Sequence, residues 1–302
     1  MPRKHHPEFD DARVYEYPHH LRQSIDDQVG RLPQAPGVYI FHGDDEALPL
    51  YIGKSVNIRA RVLSHLRATD EARMLRMTRR ITHIRTAGEM GALLLEARLI
   101  KQQLPLFNQK LRRNRQLCAW QLDLQGVALN LEVVYASQLN FACEPRLFGL
   151  FGSRHAAVEA LVALADEHGL CHAILGLEKP ARGKPCFRHQ IRRCAGACCG
   201  REAVENHHDR LMKALETLQV FCWPHEGAIA LKEVCALDPG FVQYHVVRNW
   251  CYLGSAVTLD EARRLGSVVA GFDGDGYKIL CRPVLSGEVE CVALPVMPSA
   301  PG

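Results

Sequence analysis

A carboxylate in an apolar setting is the first sign of chemistry in this 302-residue chain. Counting helically from Glu96, positions i−4, i−3, i+3 and i+4 are Ala92, Leu93, Leu99 and Ile100. Removing an unpaired carboxylate from water is expensive, so such a group finds a distant cation, binds a metal or stays protonated. The plain alternatives are a helix face less buried than its pattern, or a tertiary ion pair with one of the many arginines. Upstream, Arg61 and His65 are four residues apart and project from one helix face, a cation and a titratable ring side by side.

Sulfur supplies a second constellation. Cys186, Cys194 and Cys198 follow the spacing C-x7-C-x3-C, and Cys171 lies 15 positions upstream. The first residues, Met1-Pro2-Arg3-Lys4-His5-His6-Pro7, lead to Glu8, Asp10 and Asp11 with no apolar core of a secretory signal. A cytoplasmic location is therefore expected, with metal binding a better default than disulfides for 12 cysteines. Zinc sites usually show paired C-x2–4-C knuckles, absent here, whereas four spread thiolates suit an iron–sulfur cluster. Cys199 stands next to Cys198 as a spare donor. The scattered cysteines 118, 143, 222, 235, 251, 281 and 291 read as small buried hydrophobes.

Charge is distributed unevenly behind a net +4. Lys54 to Arg115 carries 15 Lys/Arg against four acids, and Lys179 to Arg201 carries seven cations and no acid. The rest of the chain is left at −14. A single charge run is often just a solvated face, but two basic segments rich in forked guanidinium groups favour a polyanion such as nucleic acid. The acidic remainder is available for protein contact. No run of 18 apolar residues is present, which excludes a transmembrane helix.

These residues need elements to position them. Gly37–Phe41 and Leu48–Ile52 read as two strands of an antiparallel hairpin. Side-chain alternation puts Tyr39 and Phe41 on one face, Val38 and Ile40 on the other, and a suitable register brings Tyr51 beside Tyr39. Ser55 is a fitting N-cap for a helix through Leu66, with Val56, Val62, Leu63 and Leu66 as its apolar stripe. A strand at Ile81–Arg85 and a helix from Glu89 to Gln103, stopped before Pro105, complete a small module. A short helix near Leu21–Val29 precedes it. Beyond Leu117 the spacing predicts a strand at Leu129–Tyr135, an apolar connection at Phe148–Gly152, and helices at Ala156–His168 and Glu202–Val220. Strands are expected at Ala228–Val234, Val242–Val247, Tyr277–Arg282 and Val289–Ala293.

Gly37-Val38-Tyr39 followed by Tyr51-Ile52-Gly53, then Lys54, Arg61, His65, Glu96 and Asn108 in order, resembles the GIY-YIG nucleases of the UvrC family. The likeness covers about residues 33–112. Valine replaces isoleucine in the first tripeptide, and His65 stands where many UvrC-type members carry tyrosine. The run from Pro185 to Cys198 is similar to the cysteine-rich segment after the UvrC nuclease domain, and Trp250 and Gly271–Tyr277 extend the likeness toward a short member of that family. The second, RNase-H-like nuclease and a helix-hairpin-helix segment are not seen.

The resemblance implies an α+β protein: an N-terminal extension (1–30), a GIY-YIG endonuclease domain with a central antiparallel sheet flanked by helices (31–113), and a cysteine-rich α+β region for DNA and partner binding (114–302). It implies one incision, 3′ of a lesion in damaged double-stranded DNA held by UvrB, with no membrane and no small-molecule substrate. Phosphodiester hydrolysis needs an activated water and neutralisation of transition-state charge. Family likeness assigns Tyr39 as base. A phenol of ordinary pKa about 10 needs nearby positive charge, and Lys54 and Arg61 are expected to supply it. Arg61 would also hold the scissile phosphate, Tyr51 and His65 would complete the hydrogen-bond set, and Asn108 would fix local geometry. Glu96 would hold one Mg²⁺ or Mn²⁺, since magnesium accepts one or two carboxylates and keeps its waters. Cys171, Cys186, Cys194 and Cys198 would hold a [4Fe–4S] cluster, with zinc the alternative and Cys171 the least secure ligand. Arg59, Arg112, Arg113, Arg192 and Arg193 are the expected DNA contacts. The rival readings are a metal-stabilised nucleic-acid-binding protein without catalysis and a structure-specific nuclease independent of UvrB.

Overall fold

The computed structural model describes residues 27–44, 48–108, 116–123, 129–181, 184–268 and 270–295. Two compact units emerge: residues up to 112 together with 234–241, and residues 113–233 with 242 onward.

In the first unit, β1 (Gly37–His42) is the middle strand of a three-stranded antiparallel sheet, between β2 (Pro49–Ser55) and β3 (Arg80–Arg85). Alternation sends Tyr39 and Phe41 to one core and Val38 and Ile40 to another. On the first face lie α1 (Ile58–Arg67) and α2 (Ala72–Met77), which contribute Ile58, Val62, Met74 and Leu75. On the other lies α3 (Glu89–Gln103), whose Leu99 and Ile100 pack with Val38, Ile40 and Ile52. Each fully buried aliphatic or aromatic side chain of this kind contributes about 1.5–3 kcal/mol. Helix α3 ends as expected: Leu104 turns into the left-handed region (φ 48°) ahead of Pro105.

One cap differs from the sequence reading. Ser55 is the last residue of β2, and Asn57 caps α1 by accepting the Ala60 N–H at 3.0 Å. Ser55 Oγ instead accepts the Asn57 N–H, fixing the turn, and this shift leaves Val56 exposed and makes Ile58 the buried residue. Residues 27–30 are helical, and the earlier part of the helix expected near Leu21 lies outside the described residues.

The rest of the chain holds two four-stranded antiparallel sheets. The first orders β4 (Cys118–Asp123) between β5 (Asn130–Tyr135) and β6 (Leu147–Phe151), with α4 (Arg154–Glu167) packed on it. A four-residue helix α5 (Phe187–Gln190) lies among the cysteines, and α6 (Val204–Leu215) and the short β7 (Gln219–Val220) follow. The second sheet runs β10 (Cys251–Ala256), β9 (Asp238–Arg248), β8 (Ile229–Cys235), β11 (Cys291–Ala293), accompanied by α7 (Leu259–Gly266) and α8 (Gly274–Leu285).

Several local expectations change here. The apolar connection at Phe148–Gly152 is strand β6, whose Leu147 and Phe148 are buried. The helix expected to Val220 stops at Leu215 and gives way to β7. Tyr277–Arg282 is helical, not extended: Asp273 caps α8, and Gly276, Leu280 and Val284 recur every fourth residue along its buried side. Trp250, fully buried, is met edge-on by Trp223 at 4.9 Å and Tyr277 at 5.3 Å. The α+β class holds, with every strand pairing antiparallel among the described residues.

Candidate active site

Strand register brings the two motif tyrosines together. Tyr39 pairs with Gly53, and Phe41 with Tyr51, which sets the Tyr39 and Tyr51 rings 6.2 Å apart on one face. Gly53 is required by space. A Cβ there would lie 2.3 Å from the Tyr39 hydroxyl oxygen and 2.5 Å from its Cζ, nearer than any side chain can approach. At Gly37, a Cβ would sit 2.2 Å from the Ile84 carbonyl oxygen on the neighbouring strand. The glycines of both tripeptides are therefore close-approach residues, one for a strand and one for the tyrosine itself.

Helix α1 supplies the groups that meet Tyr39. His65, only 3% exposed, places Nε2 2.6 Å from the Tyr39 hydroxyl, and its Nδ1 is hydrogen-bonded to the Glu71 carboxylate. The ring also packs against Tyr51 at 5.4 Å. One turn earlier, the exposed Arg61 brings its guanidinium to the Tyr39 hydroxyl. Burial nevertheless dominates the phenol: it pushes the Tyr39 pKa well up, reinforced by Tyr51, and Arg61 only partly opposes it. Burial thus works against the resident phenolate that Lys54 and Arg61 are expected to favour. Desolvation outweighs Arg61, and the Lys54 ammonium pairs with Glu89 at 2.6 Å while its charge still reaches Glu96.

Glu96 projects from α3 toward β2. Its Oε1 accepts the main-chain N–H of Lys54 at 3.0 Å. Burial raises its pKa, opposed by that N–H and by the Lys54 charge. The distant partner demanded by the apolar stripe is therefore a backbone amide, not an arginine. One N–H uses a fraction of the roughly four acceptor sites of a carboxylate, so the donor set suits a hard divalent cation that brings its own water.

Asn108 grips β2 from outside. Its Oδ1 accepts the Ile52 N–H at 2.9 Å and its Nδ2 donates to the Ile52 carbonyl at 2.8 Å. The amide thus does what a paired strand residue would do, at the middle residue of the second tripeptide. Arg59 donates to the carbonyls of Val29 and Gly30. Arg112 and Arg113 lie outside the described residues, and Arg192 and Arg193 are exposed in the second unit.

The cysteines converge as well. Sγ atoms of Cys171, Cys186 and Cys198 lie within 4.8 Å of one another, with Cys171 and Cys186 3.9 Å apart. Cys194 packs in the same buried cluster. Two main-chain amides point at sulfur: Cys186 N–H to Cys198 Sγ at 3.4 Å and Gly196 N–H to Cys194 Sγ at 3.3 Å. Cys171 is drawn fully into the group despite its longer spacing, while Cys199 is exposed. Burial pushes the Cys186 thiol far up, so that thiol is costly as a bare thiolate, and the converging sulfurs suit a soft metal centre, which would supply the missing positive charge.

Glu71 is the site residue that sequence reasoning missed. It stands six positions after His65, beyond the end of α1 and in a 3₁₀ turn, so no helical spacing links the two. Only the break in the helix at Ala68, which is extended (φ −80°, ψ 116°), brings its carboxylate to the imidazole.

Three family descriptions match in series: a UvrC-like GIY-YIG domain over residues 35–109, the UvrC/Cho excinuclease middle domain over 117–217, and the excinuclease Cho C-terminal domain over 228–298. The excinuclease Cho of Escherichia coli K12 is 58% identical over 287 residues, covering 95% of this chain and 94% of that protein. UvrABC system protein C of Geobacter sp. strain M21 is 32% identical over 177 residues, 57% of this chain and 26% of that protein. A crystal structure of the GIY-YIG N-terminal endonuclease domain of Thermotoga maritima UvrC with magnesium bound is 33% identical and covers 28% of this chain and 97% of that one, with a TM-score of 0.27.

Proposed function

The chain belongs to the UvrC/Cho excinuclease family and is a nuclease of excision repair, and from this we propose that it cuts one phosphodiester on the 3′ side of a lesion in DNA presented by UvrB. The observation that carries the reading is the convergence of Tyr39, His65 and Arg61 on one hydroxyl, with Glu96 held by the strand that bears Tyr51.

In this reading Tyr39 accepts a proton from the attacking water, and the exposed Arg61 holds the scissile phosphate with a forked pair of N–H donors. Tyr51 and His65 shape the hydrogen-bond field around the water, Lys54 adds positive charge near the strand end, and Asn108 holds Ile52 and so the strand. Glu96 is the ligand for Mg²⁺ or Mn²⁺, which when bound supplies charge neutralisation at the phosphate and its leaving oxygen. Fixed donors and charges of this kind account for several kcal/mol of barrier lowering.

Cys171, Cys186, Cys194 and Cys198 hold a metal centre that keeps the second basic segment folded, with exposed Arg192 and Arg193 contacting DNA phosphates. The family likeness favours an iron–sulfur cluster. One observation favours zinc: tetrahedral Zn–S bonds of about 2.3 Å put sulfurs about 3.8 Å apart, near the 3.9 Å between Cys171 and Cys186. Iron, sulfide and zinc analysis of anaerobically purified protein decides between them. Residues 31–113 form the nuclease domain in this reading, and 114–302 serve DNA and partner binding. Arg59, Arg112 and Arg113 are assigned to the phosphate backbone on the strength of the basic segment they belong to. Among the described residues no helix is long and apolar enough to cross a membrane.

The test is nicking of a lesion-bearing duplex with and without UvrB, using wild type and Glu96→Ala. Incision 3′ of the lesion only with UvrB, lost in Glu96→Ala, is the expected result. Cutting of undamaged DNA without UvrB sinks the partner dependence, and equal cutting by both proteins removes Glu96 from the mechanism.

A further inference from the structure

The hydrogen-bond chain Glu71–His65–Tyr39 has a fixed polarity, and we propose that Glu71 is a positioning residue that makes Tyr39 a competent base by setting the tautomer of His65. The proposal rests on the nuclease reading above for its reaction and on geometry for its logic.

A carboxylate can only accept hydrogen bonds, so the nitrogen facing Glu71 carries the imidazole proton. That nitrogen is Nδ1. In the neutral ring Nε2 is then a bare acceptor, and it lies 2.6 Å from the Tyr39 hydroxyl. The only proton available for that contact is the phenol's own, so Tyr39 donates to His65. Its oxygen lone pairs are left to face Arg61 and the incoming water. This arrangement removes the difficulty posed by burial. No phenolate has to exist beforehand, because Tyr39 gives up one proton as it takes another.

The step balances without a further reagent. As the water oxygen bonds to phosphorus, the water proton moves to the Tyr39 oxygen and the Tyr39 proton moves to His65 Nε2. The bond from phosphorus to the leaving sugar oxygen breaks, and its electron pair stays on that oxygen. His65, now doubly protonated, is paired with Glu71, and its extra proton goes back to Tyr39 as the Tyr39 hydroxyl passes one to solvent, while the leaving oxygen takes its proton from water. Glu71 never touches the substrate. Its work is to orient the ring and stabilise the imidazolium, the division of labour known from acid–histidine–nucleophile triads.

The side chains set around this chain also fit the assignment. Phe41 closes the His65 ring at 5.6 Å and Tyr51 at 5.4 Å, so the imidazole is held by aromatic edges and has little freedom to rotate. Glu71 itself is 32% exposed, so a change there leaves the apolar core of the sheet intact.

Glu71→Gln is the decisive variant, because the amide can donate to Nδ1 and so permits the opposite tautomer at nearly the same shape. Long-range ¹H–¹⁵N correlation of the DNA-free protein reads the tautomer directly, and single-turnover nicking separates kcat from KM. The expected result is an Nδ1–H ring in the wild type, loss of that state in Glu71→Gln, and a fall in kcat of about 10²–10⁴-fold with KM unchanged. Glu71→Asp, which keeps the acceptor, should recover most of the rate. An Nε2–H ring in the wild type, full kcat in Glu71→Gln, or a lowered kcat with the tautomer unchanged each overturns the proposal. The spectroscopic result stands whether or not the protein needs UvrB, so it fails separately from the functional reading.

Discussion

Lys54 meets Glu96 through its main chain and Glu89 through its side chain: the amide lies 3.0 Å from Glu96 Oε1 and the ammonium 2.6 Å from Glu89. The residue after Gly53 therefore serves two carboxylates with two different groups. Only the first of these is independent of side-chain identity.

Glu96→Gln should lose roughly 10³-fold in nicking, the scale of a removed charge-stabilising group, while binding of lesion DNA is retained. Lys54→Met should lose less, because the amide that holds Glu96 remains. Single-turnover rates with matched binding measurements check both. In EDTA, Glu96→Gln should be no less stable than wild type in urea, since a half-buried carboxylate has been replaced by a neutral group of the same shape.

Gly53→Ala should damage both activity and stability. The added methyl group must displace the Tyr39 ring, and a shift of about 1 Å at a reacting group can cost about 10²-fold in rate. Overpacking of this kind typically costs about 1–3 kcal/mol. Nicking rates and urea midpoints read the two separately. Wild-type activity in Gly53→Ala would show that Tyr39 does not need its present position.

Alkaline pH should unfold the protein in part through its buried phenols. Burial raises Tyr39 and also Tyr277, so the unfolded chain gives up these protons first, near the ordinary phenol value of about 10. Their favourable contribution is complete below that pH and is lost progressively as pH climbs toward the folded values. Tyr39→Phe removes one such group and should flatten the fall by at most about 1.4 kcal/mol per pH unit. Urea midpoints between pH 9 and 11.5, roughly bracketing the phenol range, test this.

Asn108→Asp keeps the acceptor for the Ile52 N–H but sets a carboxylate oxygen against the Ile52 carbonyl. It should cost about 1–3 kcal/mol, the penalty of an unmet or repelled buried polar group. Asn108→Ala, which leaves both Ile52 groups to water, should be milder. Thermal unfolding with both variants distinguishes the two, and an Asp variant as stable as wild type would make the clip irrelevant.

Cys186→Ser should lower the bound metal below stoichiometric and destabilise the second unit, because the three remaining sulfurs keep their burial without their charge compensation. Metal analysis with circular dichroism checks it. Cys199→Ser should change neither, as that thiol is exposed and outside the buried set.

The nuclease module was largely legible because its signals are local. Gly37–Phe41 alternates, Glu89–Gln103 has an apolar stripe and a proline stop, and the two tripeptides set the register. What stayed hidden depends on where a helix breaks or on the competition of burial with charge. Glu71 reaches His65 only after the helix breaks at Ala68. The phenol of Tyr39 is governed by burial, which charge counting along the sequence does not weigh. In the second unit, Tyr277-Lys278-Ile279-Leu280 has strand-like composition, yet the Asp273 cap and the four-residue spacing of Gly276, Leu280 and Val284 decide for helix. Strand β6 reads as a connection in the sequence because it is short and interrupted by Gly149, whose φ of +71° breaks the alternation.

The segment just past α3 has a bearing on how the nuclease module is bounded. Leu106 and Phe107 donate their amides to the carbonyls of Pro49 and Leu50, and Asn108 adds its side-chain pair at Ile52. These three residues run along the outer side of β2 like a short fourth strand. An uncovered edge is a template on which another chain can polymerise. Any excised fragment that stopped at the end of α3 would therefore expose the edge of the strand that carries Tyr51 and invite self-association. The working border of the module is drawn by an asparagine amide.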